Sequence, residues 1–114
     1  MSIAAQIAEK RDEKRRVISI PEWGDDDAPM QLYCGQMTCG DINKLQRKHK
    51  NFLANQTIDA MVDLIILKAE TKDGEKAFTL EDKPILMREP LNTISILASQ
   101  MFGDAESIEE HEKN

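Results

Sequence analysis

Apolar positions along this chain recur at spacings that predict helices, interrupted by two short extended runs near its beginning. Ile3, Ala4, Ile7 and Ala8 share one helical face, and Ser2 is placed to cap that helix. From Glu9 to Arg16 every residue is charged, so only the start of this segment has anything to bury. Val17-Ile18-Ser19-Ile20 and Met30-Gln31-Leu32-Tyr33 read as brief strands. Between them Pro21, Gly24 and Asp25-Asp26-Asp27 predict a long loop carrying Trp23.

A helix is expected from Cys39 to about Leu53, with Ile42, Leu45, His49 and Phe52 on one face and Lys44, Arg47, Lys48 and Lys50 mostly opposite. Thr38, three residues before Asp41, supplies its start, because the hydroxyl accepts from an otherwise orphan backbone N–H. A third helix runs from Ile58 to about Thr71. Its apolar residues cover most of its circumference, which predicts a central position or one shared with a subunit interface. Asp73-Gly74 marks a turn. Thr79-Leu80-Glu81-Asp82 repeats the Thr-x-x-Asp start, and Pro84 disturbs the helix that follows. Pro90 opens a final helix with an inner stripe of Leu91, Ile94, Leu97, Ala98 and Met101, and Gly103 suits its end. The expected fold is mainly α: four to five helices with a short N-terminal hairpin-like segment. Residues 1–16 form a charged arm, 17–103 a single domain, and 104–114 an acidic flexible tail.

Composition sharpens this picture. At 114 residues, 40% hydrophobic but only 4% aromatic, the chain has one modest core of Ile, Leu, Met and Ala, with six methionines as adaptable filling. Such a core gains from self-association or a partner. The net charge of −6 is segregated: residues 10–16 and 44–50 are basic, residues 25–27 and 104–112 acidic. Net acidity argues against bulk nucleic-acid binding, which needs a positive surface. Oppositely charged segments on one chain suit head-to-tail association of copies. The longest apolar run, Leu64–Leu67, is far too short to span a bilayer, and the interrupted N-terminus is no secretory leader, so reduced thiols at Cys34 and Cys39 are expected.

No catalytic constellation is legible. Cys34, Cys39 and His49 match no zinc-finger spacing and lack a fourth ligand. Placing Gly74 at the sixth position of a calcium loop puts Ala69, Thr71 and Leu80 where carboxylates are required. Asp59 and Asp63 sit early in a helix, where carboxylates favour the positive dipole end. No enzyme activity and no cofactor are expected. The candidate residues are therefore interaction residues: Trp23, which reads equally as a lid on the core or as an aromatic anchor for a partner, Met61, Ile65, Ile66, Ile94, Leu97 and Met101 on over-apolar helices, and Arg47 and Lys48 on the basic face. That basic face is also the basis of an alternative, a small DNA-binding regulator using residues 44–50.

The segment Val17-Ile18-Ser19-Ile20-Pro21-Glu22-Trp23-Gly24, the second strand ending at Met37-Thr38, and the basic-faced helix come in a recognisable order. The Ile58–Leu67 helix, Asp73-Gly74, Phe78-Thr79-Leu80-Glu81-Asp82 and the closing helix complete it. In this order of elements, over roughly residues 15 to 114, the chain resembles the tail assembly chaperones of lambda-like and related long, non-contractile-tailed bacteriophages. Cys39-Gly40 and Pro84 depart from the pattern. The resemblance implies a host-cytoplasmic protein, not part of the mature virion, that self-associates, binds the tape measure protein and recruits tail tube protein. It also implies a longer form made by ribosomal frameshifting. Glu112-Lys113-Asn114 is compatible with codons that contain a slippery A-AAA-AAC heptamer.

Overall fold

A computed structural model describes residues 2–12 and 15–103. The proposed acidic tail, 104–114, lies outside the described residues. In chain order the elements are helix α1 (Ile3–Asp12), strands β1 (Arg16–Asp25) and β2 (Ala28–Cys34), and helices α2 (Cys39–Lys48), α3 (Ile58–Lys68), α4 (Lys83–Leu86) and α5 (Leu91–Phe102).

The architecture is α+β, and this corrects the expectation of a mainly helical fold. The antiparallel hairpin is a structural layer in its own right, with strands of ten and seven residues. The predicted long loop does not exist. Pairing runs from Arg16↔Cys34 to Ile20↔Met30, shifts register, and closes again at Asp25↔Ala28 around Asp26-Asp27. Pro21 is tolerated because the ladder is interrupted there. Gly24 is needed because a Cβ at that position would lie 2.3 Å from the Ala28 carbonyl oxygen and 2.6 Å from the Met30 nitrogen. The aspartates therefore form the turn of a hairpin twice as long as the apolar pattern implied.

Alternation along the strands puts Ile18, Ile20, Leu32 and Cys34 on the buried face. That face meets α5, and α5 packs lengthwise on α3, so the core lies between the hairpin and these two helices. Phe52, Leu64, Ile65, Ile94, Leu97 and Met101 are its largest fully buried side chains. Tyr33 and Glu70 exchange backbone hydrogen bonds of 2.8 and 2.7 Å, which tie the end of α3 to the free edge of β2.

Local signals set most helix ends. Thr38 and Asp41 form a reciprocal capping box at the start of α2, and the Thr57 hydroxyl accepts from Ala60 N–H at α3. α2 stops at Lys48, earlier than predicted, because the chain turns through Asn51 at φ 62°. α4 is only one turn long. The Thr79 box opens a 3-10 turn at Leu80–Asp82, and Pro84 then sits in the first turn of α4. α5 ends at Gly103, φ 93°, where the Arg16 guanidinium donates to the Gln100 and Met101 carbonyls. Residues 15 and 16 are thus anchored in the body: Arg15 bonds the Thr71 carbonyl, pairs with Glu70 and lies over the Tyr33 ring. α1 contrasts with them, having no buried residue.

Candidate interaction site and the charged clamp beside it

Trp23 is half-buried near the tip of the hairpin, on the strand and not on a loop. Its indole meets the Phe78 ring edge-on, with centroids 6.1 Å apart and planes at 81°, a favourable arrangement of ring quadrupoles. Its Nε1–H donates to the Glu89 carboxylate, so the polar end of the indole is satisfied within the chain. The apolar side opens onto a cleft of about 320 Å³ lined by Trp23, Met30, Phe78, Ile85, Leu86 and Glu89. Ile85 is 64% and Met30 42% exposed, whereas Leu86 forms the buried floor. This is an aromatic anchor in an open apolar setting, with the Glu89 carboxylate at its edge.

A second cluster lies where α2, α3 and α4 meet. The Asp63 carboxylate is only 7% exposed. His49 Nε2–H donates to its Oδ2 at 2.6 Å, and Lys48 Nζ stands 3.1 Å from the same oxygen. Lys83 Nζ faces Oδ1 at 3.1 Å, a charge contact off hydrogen-bond alignment, and also pairs with Asp59. Burial by itself would raise Asp63, but the His49 hydrogen bond and the Lys83 and Lys48 charges outweigh it and hold the carboxyl below its ordinary range. For Lys83 burial works downward, and Asp59 and Asp63 outweigh it to hold the ammonium above its ordinary range. His49, Asp59 and Asp63 offer ligand atoms within 4.8 Å of one another. Two lysines already neutralise those carboxylates, so a cation there would meet two ammonium groups. The cluster is a clamp between helices.

A smaller clamp holds the start of α2 to the end of α3, with Lys68 Nζ 2.7 Å from Asp41. Burial would raise Asp41, but the Lys68 and Thr38 bonds lower it. Burial pushes the Cys34 thiol up, against the opposing Arg16 charge. Cys34 is enclosed and Cys39 exposed, both as free thiols.

The other interaction candidates scatter. Ile65, Ile66, Ile94, Leu97 and Met101 are core residues, none more than 4% exposed, and Met61 is half-buried against them. The over-apolar third helix is central, so these side chains are not offered to a partner in this fold. Lys48 is drawn to Asp63, and Arg47 remains exposed on α2. Only Trp23 lies in an open apolar site. The residues that complete that site, Met30, Phe78, Ile85 and Leu86, were not singled out from sequence. Their one local signal is the density of apolar residues on either side of Pro84.

No family model matches this chain, and no curated protein or solved structure does.

Proposed function

We propose that this protein is a non-enzymatic assembly chaperone for a bacteriophage tail, acting in the host cytoplasm. It self-associates, holds apolar helical segments of the tape measure protein, and helps bring tail tube protein to them. The observation that carries this reading is the Trp23 cleft, an aromatic anchor with exposed Ile85 and Met30 beside it. A long tape measure chain exposes apolar surface before the tube encloses it, and such surface aggregates. A shallow apolar cleft repeated over many copies suits reversible coating, since many weak contacts together retain a long client and still release it stepwise. No helix among the described residues is long and apolar enough to cross a membrane.

The regulator alternative finds less to stand on, because Lys48 is engaged by Asp63 and what precedes α2 is a strand, not a partner helix. Co-expression with a tape measure protein tests the proposal. The expected result is a soluble client that co-purifies with the wild-type chain and is retained several-fold less by Ile85→Lys. Absence of client retention, together with salt-dependent retention of the chain on duplex DNA, overturns it.

A further inference from the structure

We infer that an extended segment of a partner polypeptide, running antiparallel to β1, adds a third strand to the hairpin along its free edge. The site shares no lining residue with the Trp23 cleft and does not depend on the client reading. Its basis is where the backbone groups of the sheet point. Tyr33 exchanges both of its main-chain bonds with Glu70, on the side away from β1. Its register partner Val17 therefore belongs to a non-hydrogen-bonded pair, and so does Ser19 two residues on. The N–H and C=O of both residues point outward from β1, and among the described residues nothing pairs with them. Such an unpaired row is a template for another strand. A helix cannot fill it, because a helix spends its main-chain groups internally.

The helical layer leaves room for that strand. α3 and α5 pack lengthwise, and packed helix axes stand about 8–10 Å apart, whereas neighbouring strands stand about 4.8 Å apart. Two helices therefore roof more than two strands. On the β2 side Glu70 takes up the extra width. On the β1 side there are two adjoining hollows of about 560 and 260 Å³, which follow the strand from Arg16 to Glu22. Ile96 and Gln100 of α5 form the opposite wall, and Ile96 is 59% exposed there. The same roof disfavours a second copy paired through its own β1, since a two-fold axis beside β1 drives the two α5 helices onto each other. A single strand fits.

Charge sets the direction of the segment. Arg16 lines one end of the trough and donates only to the Gln100 and Met101 carbonyls and weakly to the Cys34 sulfur. Glu22 lines the other end and is exposed. Among the described residues neither meets an opposite formal charge. A segment with basic residues at its N-terminal end and acidic residues at its C-terminal end, laid antiparallel, supplies both partners. Its alternate side chains face α5, and apolar ones there cover Ile96.

Amide hydrogen exchange of the full chain, resolved by residue in NMR spectra, tests this directly. The probe is an end-blocked peptide, Lys-Lys-Val-Thr-Val-Thr-Val-Glu-Glu. Without it the Val17 and Ser19 amides are expected to exchange fast, and those of Ile18 and Ile20, which face β2, slowly. Saturating peptide slows Val17 and Ser19 by about tenfold or more. N-methylation of the peptide's valine nitrogens and of its threonine nitrogens has opposite outcomes, one abolishing binding and the other sparing it, because only alternate amides face β1. Ile96→Lys weakens binding several-fold with an unchanged thermal midpoint, and so does a peptide with its charged ends exchanged. Val17 and Ser19 amides that stay fast at saturating peptide overturn the inference, as does equal binding by both methylated peptides or by the charge-exchanged one. Slow exchange without peptide overturns it too: protection lost on dilution makes the occupant a second copy, and protection independent of concentration makes it this chain's own residues. Retention of the tape measure protein is read separately, so each of these results leaves the chaperone reading standing.

Discussion

The Asp63 clamp and the Trp23 cleft lie on opposite sides of α4 in sequence terms, Lys83 reaching one and Ile85 and Leu86 lining the other. One is charged and closed, the other apolar and open. In the clamp the charged groups have found partners inside the chain: one buried carboxylate on α3 serves an imidazole and an ammonium group from the end of α2 and a second ammonium group from α4. In the cleft only the indole N–H is satisfied, while Ile85 and Met30 remain in water. The difference teaches where to look for binding. A buried charge cluster that satisfies itself is a fastening, and unpaired apolar surface beside an anchored aromatic ring is what a partner would cover.

The comparison breaks most visibly at Asp63. Asp63→Ala leaves His49 without its hydrogen-bonded carboxylate and Lys83 with Asp59 alone, and is expected to cost about 3 kcal/mol. For a domain of this size that lowers the thermal midpoint by roughly 12 °C or more, measured by circular dichroism. An unaltered midpoint would mean that the three helices are held by packing alone.

Acid sharpens the same contrast. Asp63 and Asp41 are lowered from their ordinary 3.8, so the stability they confer is complete above that value and is lost as pH falls through their folded-state values below it. Lys83 is raised above its ordinary 10.5, so its share is complete below that and is lost only as pH rises through its folded-state value. Denaturant titrations should give a plateau at neutral pH and a decline beginning near pH 4, as Asp63 and Asp41 take up protons. Asp63→Asn is expected to flatten that decline. A wild-type acid limb in the variant would assign it to other carboxylates.

The smallest change falls at the cleft. Ile85→Ser removes an apolar side chain already 64% exposed and should alter stability by about 0.5 kcal/mol or less. Retention of the tape measure client is expected to fall several-fold, measured by co-purification. A variant that unfolds early would show Ile85 to be structural, and one that retains the client fully would move the binding surface elsewhere.

Much of the helical layout was legible because its signals act over three or four residues. Thr38 with Asp41 and Gly103 after Phe102 each satisfy or redirect backbone groups of their own turn. The hairpin was not legible in full. Pro21, Gly24 and the aspartates read locally as breakers, yet cross-strand pairing absorbs them in a bulged extension, and Gly24 is required by that pairing. The clamp was hidden for a related reason. Asp59 and Asp63 are visibly one turn apart, but Lys83 comes twenty residues after Asp63 and meets it only because α4 folds back onto α3. Misplacing Trp23 on a loop and assigning partners to core residues such as Ile65 and Leu97 have the same origin, since apolar periodicity marks a face without saying what covers it.

By itself the amino-acid order determined where α2, α3 and α5 start and that α5 stops at Gly103, the alternation that buries Ile18, Ile20 and Leu32, and the segregation of charge, all consequences of contacts between near neighbours in the chain. Only tertiary structure decided that α3 and α5 consume the richest apolar stripes, that one carboxylate gathers three cationic or polar partners, and that Trp23, Met30 and Ile85 share an open cleft. These outcomes depend on which distant surfaces exclude water from one another, and that is set when the elements pack.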